Sequence, residues 1–342
     1  MTAYTCTTHT LKEELNKIKG GIIGFMIGDA LGLPVAGIPR KDIIHKVGNI
    51  TYYIKNSQHP LLYFLKEGQY GGNSRLLLAT LQSILENKKY SHQSLVESLR
   101  NIAIKSKRDI EFSRWMGETV MKSLLSGIPS DSDSCTCIYR AIPIALLFDN
   151  LETVIHLSVF QSQITHVSPI SLSASIIISY TLFQIKNNPL SKLNEVIQEA
   201  VEIAERKYGI TLLTENLKML LRNTINSLSQ ARKVFGTGSR ANQVIPLSLY
   251  IIFNNINKFE KGILEGVNSF RDDTSEEIKR LQNLSYKEAL IQCRGGDTNA
   301  IGGLVGCILG TINGYTSIHS KFKEKLEDET STVSLINQAT IL

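Results

Sequence analysis

Gly20-Gly21-Ile22-Ile23-Gly24-Phe25-Met26-Ile27-Gly28-Asp29-Ala30-Leu31-Gly32-Leu33-Pro34 is the stretch on which the fold turns. A helical apolar period over Thr8–Phe25 leads into it. Its glycines carry no side chain, so another backbone can approach closely. Asp29 stands among apolar residues and, if buried, must find hydrogen-bond donors. The run follows Lys12, Lys17 and Lys19 and so imitates a secretion signal. Glu13 and Glu14 dilute that basic region, and Asp29 ends the apolar run before a good cleavage site. A helix of the folded protein is the better reading.

Outward from this stretch the helical period dominates. Leu76, Leu77, Thr80, Leu81 and Ile84 make one stripe; Leu95, Leu99 and Ile102 make another. Phe112, Met116, Val120 and Leu124 follow. The segments 141–148, 154–159, 170–185, 196–204, 244–253, 259–267 and 301–312 continue the series. Only Ile50–Ile54 alternates like a short strand. The expected fold is all-α, a dozen or so helices in a single domain over residues 1–342, because no Pro/Gly/Ser-rich linker divides the chain. Residues 269–284, rich in charge, read as an insertion. Within it Thr274 and Glu277 form a capping box, with Asp272 and Asp273 at the positive helix end.

Composition narrows the class. The 342 residues are 42% hydrophobic and 20% charged, which excludes a disordered chain. The five cysteines are scattered over a long chain, so a small disulfide-stapled domain is excluded too. Cys135 and Cys137 have no second pair nearby, and buried free thiols in a reducing, cytoplasmic setting are the expectation. The net charge of +6 is spread out. Its densest run, Lys105–Arg108, is followed by Asp109 and Glu111 and reads as a solvated helix face rather than a nucleic-acid surface. The apolar runs 170–185 and 301–312 are polar-diluted or too short to span a membrane.

Polar and glycine knots interrupt the apolar helices. Gly68–Arg75 leads into a helix, with Asn73 and Ser74 as candidate N-caps. Ser162–His166 precedes the helix at Pro169, which Thr165 could cap; His166 alone more often signals a hydrogen-bonded core histidine than a ligand contact. Gly236-Thr237-Gly238-Ser239 opens the helix through 244–253. Gly295-Gly296-Asp297-Thr298-Asn299 opens a helix with Gly302, Gly303, Gly306 and Gly310, which can pack tightly on a neighbour. Paired glycines before a helix start leave backbone N–H groups for an anion.

Taken in order, these knots resemble the ADP-ribosylglycohydrolase family, over roughly residues 12–315. The opening G-x-x-x-G-D-A-L-G-x-P-x-E falls on Gly24–Ala36. A Y-T-D-D-T stretch falls on Tyr70–Ser74, and an N-G-x-x-M-R-x-x-P stretch falls on Cys135–Pro143, keeping Arg140. T-H falls on Thr165-His166, G-T-G on Gly236–Gly238, and the closing G-G-D-T-D-T/S on Gly295–Ala300. The resemblance implies an all-α fold and cleavage of a glycosidic bond to ADP-ribose by a water held at two Mg²⁺ ions. It implies a ligand cleft lined from Gly28, Asp29, Arg140, Thr165, His166, Gly236, Thr237, Gly238, Gly295, Gly296 and Thr298, with phosphates at helix N-termini.

The departures concentrate at the cation ligands. The opening Glu is Ala36, Thr-Asp-Asp-Thr is Gly71-Gly72-Asn73-Ser74, and the closing Asp-x-Asp-Thr is Asp297-x-Asn299-Ala300. Hard divalent cations require several charged oxygens. Asn73, Ser74, Asp297 and Asn299 therefore form a degenerate metal set, with no cofactor expected and Mg²⁺ only if a residual site survives. Arg75 is a candidate to place a fixed cation in the vacated space. The expectation is a catalytically degenerate member that binds ADP-ribose or a related nucleotide as a binder or regulator, through an ADP-ribosylated or regulatory protein partner, with no nucleic acid or membrane. The alternative is an active hydrolase with a rebuilt or mononuclear site and Asp297 as its catalytic base.

Overall fold

In the computed structural model, the helices Thr2–Gly32 and Thr298–Asn313 run antiparallel with their backbones touching. A Cβ on Gly20 would lie 2.0 Å from the carbonyl oxygen of Gly310. One on Gly24 would lie 2.1 Å from that of Gly306, and one on Gly28 2.1 Å from that of Gly302. Each glycine comes four residues after the last, so all fall on one ridge of the helix. A methyl at any of these positions would drive the two helices apart. The model describes residues 2–57, 59, 61–188, 192–271 and 295–339. The expected capping box at Thr274 and Glu277, with Asp272 and Asp273, lies outside them.

In chain order the helices of the described residues are α1 (Thr2–Gly32), α2 (Arg40–Lys46), α3 (Gly72–Asn87), α4 (His92–Arg108), α5 (Ile110–Ser113) and α6 (Glu118–Ser126). Then come α7 (Ile138–Leu147), α8 (Leu151–Ser162), α9 (Pro169–Asn187), α10 (Leu193–Tyr208), α11 (Leu212–Leu221) and α12 (Leu228–Phe235). The last are α13 (Ala241–Phe253), α14 (Phe259–Val267), α15 (Thr298–Asn313), α16 (Ser320–Glu324) and α17 (Glu329–Asn337). The α1–α15 pair makes the largest helix–helix interface, and α9 packs on α7, α8 and α10. One buried apolar cluster reaches from Ile18 to Ala339, so the chain is a single all-α domain.

Two hydroxyls of α9 fit that buried position because they are satisfied within the helix. Ser179 Oγ donates to the Ser175 carbonyl at 2.6 Å, and Thr181 Oγ1 donates to that of Ile177 at 2.7 Å. By length and composition Leu11–Val35 could cross a membrane, but 94% of its apolar window is buried inside the protein. Lys105, Lys107 and Arg108 are exposed in the last turn of α4, where cations complement the helix dipole. Cys135, Cys137 and Cys307 are buried free thiols.

The expected short strand at Ile50–Ile54 is a loop; the described residues contain only isolated bridges, Ser130 with His166 and Ser134 with Arg240. The Asn268 side chain takes the place of a neighbouring strand. Its Oδ1 accepts from the Ile50 N–H and its Nδ2 donates to the Ile50 carbonyl, both at 2.8 Å. With both backbone groups satisfied by one amide, no second strand is required.

Candidate functional site

The glycine ridge fixes the register that builds the site. Gly32 lies against the backbone of Asn299, and Thr298 Oγ1 donates to the Gly32 carbonyl at 2.8 Å. That register puts Asn299 Nδ2 2.9 Å from Asp29 Oδ1. Asp29 Oδ2 accepts from the Gly71 N–H at 3.0 Å, the Ser74 N–H at 2.9 Å and Ser74 Oγ at 2.7 Å. Asp29, on α1, therefore caps α3 from outside the helix, where a negative charge meets its positive end. It is fully buried, and burial raises its pKa while these four donors pull the other way. The expected caps Asn73 and Ser74 do not cap: α3 starts at Gly72, Gly71 is its N-cap, and Ser74 acts as donor to Asp29.

Beside this hub opens a cleft of about 750 Å³. Asn73, Asn299, Asp297, Thr136, Ser134, Leu61, Trp115 and Met116 line it. Asp131, Asp133, Glu118 and Arg240 stand around it. Burial pushes the Asp297 carboxyl up to about 7, with Asp29 adding to the rise and the Ala300 N–H opposing it. Its backbone N–H is bound to the Thr237 carbonyl at 2.6 Å. Asn299 is buried, and with Nδ2 committed to Asp29 its Oδ1 has no partner. A buried acceptor without a partner leaves a hydrogen-bonding demand unmet at this place in the fold.

Behind Thr136 lies a buried polar chain. Thr136 Oγ1 is 3.3 Å from His166 Nε2, and His166 Nδ1 is 2.8 Å from Thr165 Oγ1. Arg140 Nη2 donates to Thr165 Oγ1 at 2.7 Å, and Arg140 Nε donates to Gln161 Oε1 at 2.8 Å. Burial first, then the Arg140 charge, holds His166 neutral down to about pH 3. Arg140 itself is lowered to about 10 by burial. Arg140, Thr165 and His166 are all fully buried and reach the cleft only through Thr136. The expected cap at Thr165 is instead made by Ser168, whose Oγ accepts from the Ile170 N–H.

The other expected residues fall into distinct places. Gly28 is a packing residue of the α1–α15 contact. Gly295 is not free for an anion, because its N–H donates to the Gly37 carbonyl at 3.2 Å and a Cβ there would lie 1.9 Å from the Ile38 carbonyl oxygen. Gly296 adopts φ +112 and Gly236 φ +83, both conformations that favour glycine. Gly238 packs on Gln243, and Thr237 Oγ1 is buried without a partner. Ser74 does not line the cleft. Arg75 is not in the cleft either; its guanidinium stacks on Phe112 at 4.0 Å, beside a separate groove.

The segment 114–116 is part of the site and was not legible in the sequence. Arg114 and Trp115 both take left-handed backbone, φ 43 and φ 64. For residues with a Cβ each costs about 1–2 kcal/mol. Arg114 is held by Glu327, with Nη2 to Oε1 at 2.9 Å, and by the Tyr70 carbonyl. The Trp115 ring meets the buried His59 edge-on at 4.8 Å. Asp131 and Asp133 were missed too, although the alternation Ser130-Asp131-Ser132-Asp133-Ser134 was a visible signal. Asp133 Oδ1 is engaged by Ser168 Oγ at 2.5 Å.

No group of three or more His, Cys, Asp or Glu side chains among the described residues is placed to hold a metal ion. Of the expected cation ligands, those that line the cleft are the two amides of Asn73 and Asn299 and the one carboxyl of Asp297. That set does not fit two divalent cations, which require several charged oxygens at short range.

Comparison with known proteins gives the family and the fold. A family model described as ADP-ribosylglycohydrolase matches residues 10–341. An uncharacterized protein of Archaeoglobus fulgidus is 22% identical over 321 residues, covering 91% of this chain and 92% of that one. A solved structure titled ADP-ribosylglycohydrolase-related protein complex superposes with a TM-score of 0.71 at 15% identity, covering 96% of this chain and 98% of the other.

Proposed function

Because the chain belongs to the ADP-ribosylglycohydrolase family, we propose that it binds ADP-ribose or a closely related nucleotide without a pair of divalent cations, as a binder or regulator. The observation that carries this reading is the donor set. A cleft lined by Asn73, Asp297 and Asn299 is present, while the positions that the resemblance assigns to cation ligands hold Gly71, Gly72, Asn73, Ser74 and Asn299. Neutral oxygens serve ligand hydroxyls well and serve two doubly charged ions poorly. An ADP-ribosylated protein or a regulatory partner belongs to the same reading. So does a cytoplasmic setting, where buried Cys135, Cys137 and Cys307 would remain thiols.

A second reading is favoured by one observation. Asp297 titrates near 7, the range in which a carboxylate works as a general base, so it could deprotonate a water unaided and cleave an N- or O-glycosidic bond. Isothermal titration with ADP-ribose in Mg²⁺ and again in EDTA tests the main reading. Equal affinity in both buffers is the expected result. Binding that vanishes in EDTA would return cations to the site, and no binding in either buffer would overturn the reading. Product release from an ADP-ribosylated peptide in EDTA, abolished in Asp297→Ala, would establish the second.

A further inference from the structure

We propose that Arg114–Met116 is a plug built into the room of the lost cation ligands. On it, Trp115 holds the ligand's pentose by its C–H face, where cations would have held its hydroxyls. This rests on the reading of the cleft as an ADP-ribose site.

The plug is seen in what a side chain at 71 or 72 would meet. A Cβ on Gly72 would lie 2.7 Å from Met116 Cα and 2.9 Å from its N. A Cβ on Gly71 would lie 3.2 Å from the Arg114 carbonyl oxygen, and that carbonyl already accepts the Gly72 N–H at 2.9 Å. The Gly72 neighbours are backbone and cannot swing aside; at Gly71 the nearer atoms are the Asp29 Oδ1 and Leu33 Cδ2 side chains at 3.1 Å, a tight contact that small shifts relieve. Gly72 is thus a requirement of the packed loop as well as the loss of one carboxylate. The loop is held in its left-handed turn by Arg114–Glu327 on one flank and by the Trp115–His59 contact on the other.

The plug leaves the cleft with two unlike kinds of lining. Trp115, with its flat indole, and Leu61 are apolar; Asn299 and Asp297 are polar. A sugar ring has the matching division: hydroxyls along its edge to meet the polar residues, C–H bonds on its face to lie on the indole. ADP-ribose offers such a ring beyond its diphosphate.

Trp115 is the sole tryptophan of the chain, so intrinsic fluorescence reports on it alone. ADP-ribose and ADP would be titrated in EDTA, by calorimetry and by fluorescence, into the wild type, Trp115→Ala and Trp115→Phe. ADP-ribose should change the emission. Trp115→Ala should weaken ADP-ribose about tenfold while leaving ADP, which lacks the second ribose, unchanged, and Trp115→Phe should restore most of the loss. ADP-ribose binding by calorimetry with unchanged emission and equal affinity in Trp115→Ala would overturn the proposal and leave the ADP-ribose reading standing. Absence of calorimetric binding in the wild type would instead bring down that reading and the proposal with it. The plug itself is tested by Gly72→Asp with Asn73→Asp. Mg²⁺ should not raise the Tm of this variant, and a Mg²⁺-dependent rise would show that the room for a cation was there.

Discussion

Glycines bring backbones together in two regions of this molecule, with opposite consequences. At Gly20, Gly24 and Gly28 the approach joins α1 to α15 and sets the register that delivers Asn299 to Asp29. At Gly71 and Gly72 it lets the strained Arg114–Met116 segment press against the start of α3. The first contact maintains the frame of the fold. The second fills space where charged side chains would have to stand. The same residue type therefore serves the frame of the fold in one place and shapes the candidate site in the other.

The sharpest way to break the comparison is to damage the frame. Gly24→Ala would place a methyl 2.1 Å from the Gly306 carbonyl oxygen, backbone against backbone. A loss of roughly 4 kcal/mol is expected, read as a drop in the urea midpoint without a change in slope. Next comes the hub that ties frame to site. Asp29→Ala leaves the Gly71 and Ser74 N–H groups, the Ser74 hydroxyl and the Asn299 amide without their acceptor. About 3 kcal/mol should be lost, and α3 should show faster amide exchange at its N-terminus.

The smallest effect sharpens the contrast at the site itself. The Asp297 carboxyl is raised from 3.8 to about 7 in the folded protein. The protonated form is the one the fold favours, so its contribution is full below pH ~4 and is lost as pH rises to about 7. Asp297→Asn removes that loss. The variant should match the wild type near pH 4 and be the more stable of the two at pH 8, by urea denaturation at both values. A variant less stable than the wild type at pH 8 would show that the carboxylate is held by a charge partner.

Much of the frame was legible in the sequence. The helical period and the glycine spacing on 20–28 and 302–310 are local patterns, and local patterns survive in a linear reading. The match of those two glycine rows with each other is not local and emerged only in three dimensions. At the site, the loss of carboxylates could be read directly from Gly71-Gly72-Asn73-Ser74. The roles of these residues could not. Asn73 and Ser74 look like caps, but the cap comes from Asp29, more than forty residues away in the chain. Arg75 looks like a replacement cation, but the turn of α3 aims it at Phe112. Trp115 carries no sequence signal, because its position depends on a left-handed turn held by Glu327 near the other end of the chain.

If the cleft takes its nucleotide without divalent cations, as proposed, the protein should take up none alongside it. Counting bound cations tests it most directly, by electron paramagnetic resonance of Mn²⁺ titrated into the protein saturated with ADP-ribose. The account predicts that the free Mn²⁺ signal rises from the first addition at micromolar concentrations, with no stoichiometric bound fraction. One or two Mn²⁺ ions taken up per chain before free signal emerges would contradict it.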